Sequence, residues 1–155
     1  MKHKYIFLLF TINFFILAND KMRISSIEEL SSLPSITMPL IDNDEQLAKD
    51  EKKSFNEGIP LRYAEITEVN FNTYNSGEWS KFNENYYVWK LNIVSTDAVG
   101  LKLLFNQFKL YENDLLYIYN KEQDMIVGPL SSNKNNIDNT FGHKLLKGDS
   151  IYIEY

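Results

Sequence analysis

The chain has 155 residues, of which 44% are hydrophobic and 14% aromatic, so it can form one domain with a substantial core. Its formal net charge of −5 argues against a nucleic-acid partner, because an acidic surface repels the phosphate backbone. It contains no cysteine, which excludes a disulfide scaffold and leaves packing to hold the fold together.

The first residues have the pattern of a secretory signal peptide. A basic start at Lys2 to Lys4 precedes an apolar run from Tyr5 to Leu17, and Ala18 follows as the small residue at a cleavage site. The run is shorter than the roughly 20 apolar residues of a membrane-spanning helix. We predict a signal peptide at residues 1–18 and a secreted, periplasmic or cell-surface protein that meets the membrane only through this segment. The alternative is an uncleaved N-terminal anchor.

Residues 19–57 differ in composition from the rest of the chain, because serine, proline and charged residues dominate them. This composition predicts a loosely ordered leader with two short helices. The first lies around Leu30. The second runs from Asn43 to Phe55, and its apolar face is thin, so it should dock through few contacts.

Short strands separated by turns are predicted from Gly58 onward. The clearest lies between Tyr87 and Ser95, where Trp89 begins an alternation of apolar and polar residues that places Trp89 in the core. A β pattern with a change of phase also covers Leu61 to Phe71 and suggests a bulge or burial on both faces. Further strands are predicted at residues 101–105, 115–119, 125–127, 140–145 and 150–155.

These patterns predict an all-β fold for residues 58–155. Strands of this length, with a turn roughly every ten residues, are typical of an antiparallel, jelly-roll-like β-sandwich of about seven to eight strands.

Catalytic chemistry has little support in the sequence. The only histidines are His3, in the signal segment, and His143, which is expected to be a surface residue. Gly148-Asp149-Ser150 is similar to the nucleophile segment of trypsin-like enzymes, but Ile151 stands where those enzymes place a glycine. We interpret Gly148-Asp149 as a hairpin turn instead. No catalytic residue is predicted, and the chain is not expected to be an enzyme by itself.

No metal site or cofactor is predicted either. Zinc is disfavoured because the chain lacks cysteine and has one usable histidine. Calcium would need carboxylates in loops, but these have no spacing signature. The candidates for that role are Asp97, Asp114, Asp124, Asp138 and Asp149.

Aromatic side chains are the remaining candidates for a binding surface. Trp79, Tyr86, Tyr117 and Tyr152 could together form a platform for a glycan or a peptide. The competing interpretation is that the tyrosines are packing residues, since tyrosines on strands usually bury the ring and leave the hydroxyl wet.

An ordered series of segments resembles a known family. The series consists of Leu33–Ser35, Met38–Asp42, Asn75–Trp79, Val88–Ser95, Leu115–Tyr119, Val127–Pro129 and Gly148–Tyr155. It is similar to the N-terminal non-catalytic domain of secreted bacterial trypsin-like serine peptidases of the lysyl-endopeptidase type. Tyr111–Asp114 departs from the family, which usually has a turn with proline and glycine there.

The resemblance implies a function through a partner. In that family a chymotrypsin-like peptidase domain follows the β domain, and this chain lacks it. The chain would then be a pro-region or accessory domain, and its partner a serine peptidase domain or another secreted protein. Two alternatives stay open: a stand-alone secreted module that binds carbohydrate or protein, and an enzyme in its own right.

Overall fold

The computed structural model describes residue 25, residues 27–33 and residues 35–155. The predicted signal peptide lies outside the described residues. The helices are α1 (Ile27–Ser31) and α2 (Asn43–Glu57), and Ser132–Lys134 form one turn of 3-10 helix. The strands are β1 (Ser35–Thr37), β2 (Glu78–Lys81), β3 (Tyr87–Val94), β4 (Gly100–Leu101), β5 (Leu104–Phe105), β6 (Leu116–Asn120), β7 (Ile126–Leu130), β8 (Phe141–Gly142), β9 (Leu146–Lys147) and β10 (Ser150–Glu154). Within this part of the chain, no helix has the length and apolar content that crossing a membrane requires.

The fold is rich in β structure, as predicted, and is built on one mixed sheet. Its strand order is β1-β3-β10-β6-β7, and β2 also pairs with β3. All these pairs are antiparallel except β1 with β3, which is parallel. The sheet is therefore not purely antiparallel. The parallel strand, Ser35–Thr37, comes from the predicted leader, so this part of the leader contributes directly to the sheet.

The core lies on one face of the central strands β3, β10 and β6. Ile153 stands between Leu91 on β3 and Ile118 on β6, and all three are at most 4% exposed. The period-2 pattern of the sequence brings these side chains to one face, because alternate residues of a strand share a side. The predicted core role of Trp89, which is 5% exposed, is confirmed.

Two small ribbons, β4 with β9 and β5 with β8, pack on this core face. They replace the single strands predicted at residues 101–105 and 140–145. The chain leaves the strand conformation at Leu103 because its N–H donates to Nε2 of His143 at 3.0 Å instead of to a neighbouring strand. Phe108 stacks on Phe141 of β8, with ring centroids 4.7 Å apart, and closes the core there.

The strand predicted from Leu61 to Phe71 is wrong. Residues 58–77 form neither helix nor strand, and every residue from 55 to 70 is exposed. The outer edge of β3 has no room for another partner, because β1 pairs with its second half and β2 with its first. The edge of β3 is therefore closed to this segment, which pairs with no strand among the described residues.

A turn at residues 72–77 seals Trp89. The indole N–H of Trp89 donates to the carbonyl of Ser76 at 2.8 Å. Gly77 has φ of +72°, and a Cβ there would lie 2.7 Å from the indole ring and 2.5 Å from the carbonyl oxygen of Lys90. Only glycine fits this position, because the turn lies directly against the ring.

We expect Gly77→Ala to lower the free energy of unfolding more than Gly58→Ala. Both glycines have positive φ, so each substitution carries the strain of an L residue there, about 1–2 kcal/mol. Gly58 has open space around its Cα, whereas at Gly77 the methyl group also overlaps Trp89, which adds about 1–3 kcal/mol. Urea unfolding of both variants measures the difference. Equal losses would contradict the close packing of the turn on Trp89.

Candidate functional site

The second face of the sheet, opposite the core, is also covered. Alternation along β6 and β10 places Tyr117, Tyr119 and Tyr152 on this face, and helix α1 covers them with Leu30. Leu30 is 2% exposed, and the rings of Tyr119 and Tyr152 stack with centroids 5.8 Å apart. The helix and the tyrosines form a second, smaller apolar cluster.

A buried carboxylate ties the leader to this face. Glu154 is 2% exposed and accepts hydrogen bonds from the Ser25 N–H, at 2.8 Å, and from the Tyr119 hydroxyl. Gln123 donates to the Ser25 carbonyl at 2.7 Å. Burial first, and then the bond to Glu154, raise the pKa of the Tyr119 hydroxyl far above its ordinary value, so it stays a donor.

Beside these tyrosines lies a cleft of about 390 Å³ between α1 and the sheet, which we call the α1 cleft. Its lining includes Leu30, Leu33, Asn92, Asp149, Ser150 and Tyr152. Burial first, and then the nearby carboxylates of Asp149 and Glu122, raise the pKa of Tyr152, while a hydrogen bond from Asn92 opposes that rise. The α1 cleft is thus partly apolar and partly polar, with negative charge close to Tyr152.

Asn92 is the unusual residue of the α1 cleft. It is 6% exposed, and its carboxamide oxygen has no hydrogen-bond partner in the part of the chain that the structure describes. Sequence analysis missed it, because an asparagine alternating with apolar residues on a strand predicts a solvent-facing position. Asn92 is buried because α1 lies over this face of the sheet and β1 pairs with β3 beside it.

The four aromatic residues predicted as a binding surface do not come together as one exposed platform. Trp79 and Tyr86 are about half exposed, at 48% and 51%, whereas Tyr117 and Tyr152 are 8% and 5% exposed. The last two are packing residues under α1. Trp79 lies beside Tyr155, with ring centroids 6.0 Å apart, and its indole N–H donates to the Thr73 carbonyl at 3.0 Å.

His143 is buried, at 6% exposure, so its predicted surface position is wrong. Its Nε2 accepts from the Leu103 N–H, which leaves the proton on Nδ1, 2.6 Å from the Lys144 carbonyl. Burial lowers the pKa of the imidazole, opposed by the bond to Lys144 and reinforced by the charge of Lys102. Both ring nitrogens are engaged by the backbone, so this histidine acts as a structural bridge.

The Gly148-Asp149-Ser150 segment forms a turn, as predicted, with Gly148 at φ of +107°. The predicted hairpin is wrong, because β9 pairs with β4, whereas β10 lies between β3 and β6. The Ser150 hydroxyl donates to Asp149 at 3.2 Å.

Among the described residues, no group of three or more histidine, aspartate or glutamate side chains is arranged to hold a metal ion. One of the candidate aspartates, Asp114, has a structural role. It accepts hydrogen bonds from the Tyr111 N–H and the Tyr155 hydroxyl, both at 2.7 Å.

An exposed segment is the other notable feature, and we call residues 55–74 the arm. It begins in the last turn of α2, at Phe55, and continues beyond the helix. Its apolar side chains include Phe55, Tyr63, Ile66 and Tyr74, which are 91%, 80%, 76% and 98% exposed. Arg62 attaches the arm to α2 through the Asp50 carboxylate at 2.7 Å and the Gln46 side chain at 2.8 Å.

The chain matches no protein-family model, and no curated protein or solved structure matches it.

We expect Tyr119→Phe to lower the free energy of unfolding by about 1.5–3 kcal/mol, because it removes a hydrogen bond to a buried carboxylate. The matched control is Tyr87→Phe, since Tyr87 is 61% exposed and should lose less than about 0.5 kcal/mol. Urea unfolding measures both, and amide exchange at Ser25 should accelerate only in Tyr119→Phe. Equal stability of the two variants would contradict the role of the Glu154 bond.

We expect His143 to make stability depend on pH. Its pKa is lowered in the folded state, so the unfolded state binds more protons below pH 6.5, the ordinary value, and stability falls as the pH drops from there toward the folded pKa. The slope is at most about 1.4 kcal/mol per pH unit. Urea unfolding of the wild type and His143→Gln, at neutral and mildly acidic pH, isolates this contribution. A constant difference between the two proteins across that range would refute it.

Proposed function

We propose that the chain is a non-catalytic pro-region or accessory domain of a secreted serine endopeptidase of the lysyl-endopeptidase type, and that it acts by contact with another protein. The ordered segments that resemble that family support the identity of the partner. The observation that supports action by contact is the arm, because it exposes several large apolar side chains along one segment. Exposed apolar surface of this kind often marks a protein–protein interaction site.

The arm has the properties of a segment whose apolar side chains become buried when another protein binds. Its sequence has a β pattern, yet it pairs with no strand in the described residues and leaves Leu61, Tyr63 and Ile66 exposed. Its attachment through Arg62 to Asp50 holds it on α2 without burying these side chains. Covering them in an interface would stabilise a complex by roughly 25 cal/mol for each Å² of apolar surface removed from water.

The second candidate function is a stand-alone secreted module that binds carbohydrate or protein. The α1 cleft favours it, because concave sites with apolar walls and a few polar groups are typical of ligand binding.

We also propose that the described β-rich fold is a β-sandwich with a small second layer. We take the two ribbons to be the reduced second layer of a jelly-roll-like β-sandwich, since Leu146 of β9 is 1% exposed against the main sheet. We further propose that residues 1–18 are a signal peptide and that the protein is secreted or periplasmic.

The test begins with the DNA around the gene, which should encode a trypsin-like peptidase with its own histidine, aspartate and serine. Calorimetry with that purified peptidase should then show binding. The double variant Tyr63→Ser/Ile66→Ser should bind at least about tenfold more weakly, the effect of roughly 1.4 kcal/mol of lost contact.

The matched control is Ile137→Ser, because Ile137 is 95% exposed but lies outside the arm. It should bind as the wild type does. No neighbouring peptidase gene, no binding, or equal weakening by the control would each count against the proposal.

A further inference from the structure

We propose that the arm is a site of limited proteolysis, at which a trypsin-like peptidase that accepts arginine hydrolyses the Arg62–Tyr63 bond at a rate controlled by Asp50. The cleaved protein stays together as a complex of two pieces. This inference concerns a modification of the arm, and it does not depend on the partner proposed above.

The backbone of the arm is open to a peptidase. Residues 58–71 form neither helix nor strand, and residues 59–71 make no backbone–backbone hydrogen bond with any described residue. Every residue from 55 to 70 is exposed. Exposed segments of this kind are preferred sites of proteolytic cleavage, because a peptidase can bind them without unfolding the surrounding structure.

A single basic residue marks the bond that would be cleaved. Arg62 is the only lysine or arginine between Lys53 and Lys81. A trypsin-like peptidase selects its bond by placing such a side chain in a pocket that carries an acidic group, so the arm offers it one choice. The lysines elsewhere in the described chain lie in helices, in strands or in shorter connections between them.

The side chain of Arg62 is held by α2 through a set of bonds that we call the Asp50 latch. Its Nε donates to the two carboxylate oxygens of Asp50 at 2.7 and 2.9 Å, and its backbone N–H donates to the same carboxylate at 3.1 Å. The guanidinium also donates to the Gln46 side chain at 2.8 Å and to Glu65. One guanidinium cannot bind Asp50 and the acidic pocket of a peptidase together. The latch must therefore open before cleavage.

Hydrolysis adds one water molecule across the Arg62–Tyr63 bond. The carbonyl carbon of Arg62 gains an oxygen and becomes a carboxylate, while the nitrogen of Tyr63 takes a proton and leaves as an amine. The part of the arm that begins at Tyr63 is then no longer joined covalently to α2.

The two pieces are held together by contacts that cleavage leaves intact. In the piece that ends at Arg62, β1 pairs with β3 and the Ser25 N–H donates to Glu154. Leu30 of the same piece is buried against the tyrosines of the second face. The partners in all three contacts belong to the piece that begins at Tyr63.

The test is a time course with a trace of trypsin, followed by mass spectrometry of the intact products. The first cleavage should give two pieces that meet between Arg62 and Tyr63, and these should elute together in size-exclusion chromatography. Arg62→Gln should abolish this early cleavage, whereas Lys53→Gln, which removes a basic residue of α2, should not. A first cleavage at any lysine, or separation of the two pieces under native conditions, would overturn the proposal.

The role of the latch is tested by the rate of the same cleavage. Asp50→Asn should accelerate it about two- to fivefold, because the rate follows the population of the open latch and a partly exposed ion pair shifts that population by this factor. The matched control is Glu45→Gln, since Glu45 pairs with Lys49 within α2 instead, and its rate should equal that of the wild type. Equal rates in the two variants would overturn the latch. Should Asp50→Asn fail to fold, Gln46→Ala removes another bond of the latch and provides the same comparison.

Discussion

Strand β3 is the element on which the rest of the structure depends, because its two edges and its two faces are all occupied. One edge pairs with β10, and the other is shared between β1 and β2. Its core face carries Trp89, sealed by the 72–77 turn, and its opposite face carries Asn92 under α1 and β1. This full use of one strand explains why the arm does not pair with β3. It also explains why a polar residue on β3 is enclosed.

The two faces of the sheet are stabilised by different interactions. Aliphatic and aromatic packing dominates the core face, where the favourable free energy comes from apolar burial. The second face adds a hydrogen-bonded network around the side chain of Glu154, because a buried polar group needs hydrogen-bond partners. The leader contributes the N–H of Ser25 to that network and β1 to the sheet edge. Ser25 and β1 are therefore part of the folded unit.

Sequence patterns predicted the helices and strands that are encoded by a local pattern of apolar and polar residues. The alternation around Trp89 and in β10 identified central strands, and the composition of residues 43–55 identified α2. The caps of α2, Asp42 and Gly58, are seen in the structure and were not part of the prediction. Elements that depend on distant partners were not predictable. The three residues of β1 have no period, and the break at Leu103 depends on His143, which is 40 residues away. The burial of Tyr152 and Asn92 likewise depends on α1.

The position of β10 has a consequence for how the protein reaches its native state. The last strand of the described chain lies in the middle of the sheet, and Glu154 on it bonds to Ser25, 129 residues earlier. During synthesis the early segments must wait for this strand before the sheet can close, so the fold has high contact order and forms slowly. Until β10 is in place, the edges of β3 and β6 that it joins stay unpaired, so the two halves of the sheet come together only in this last step.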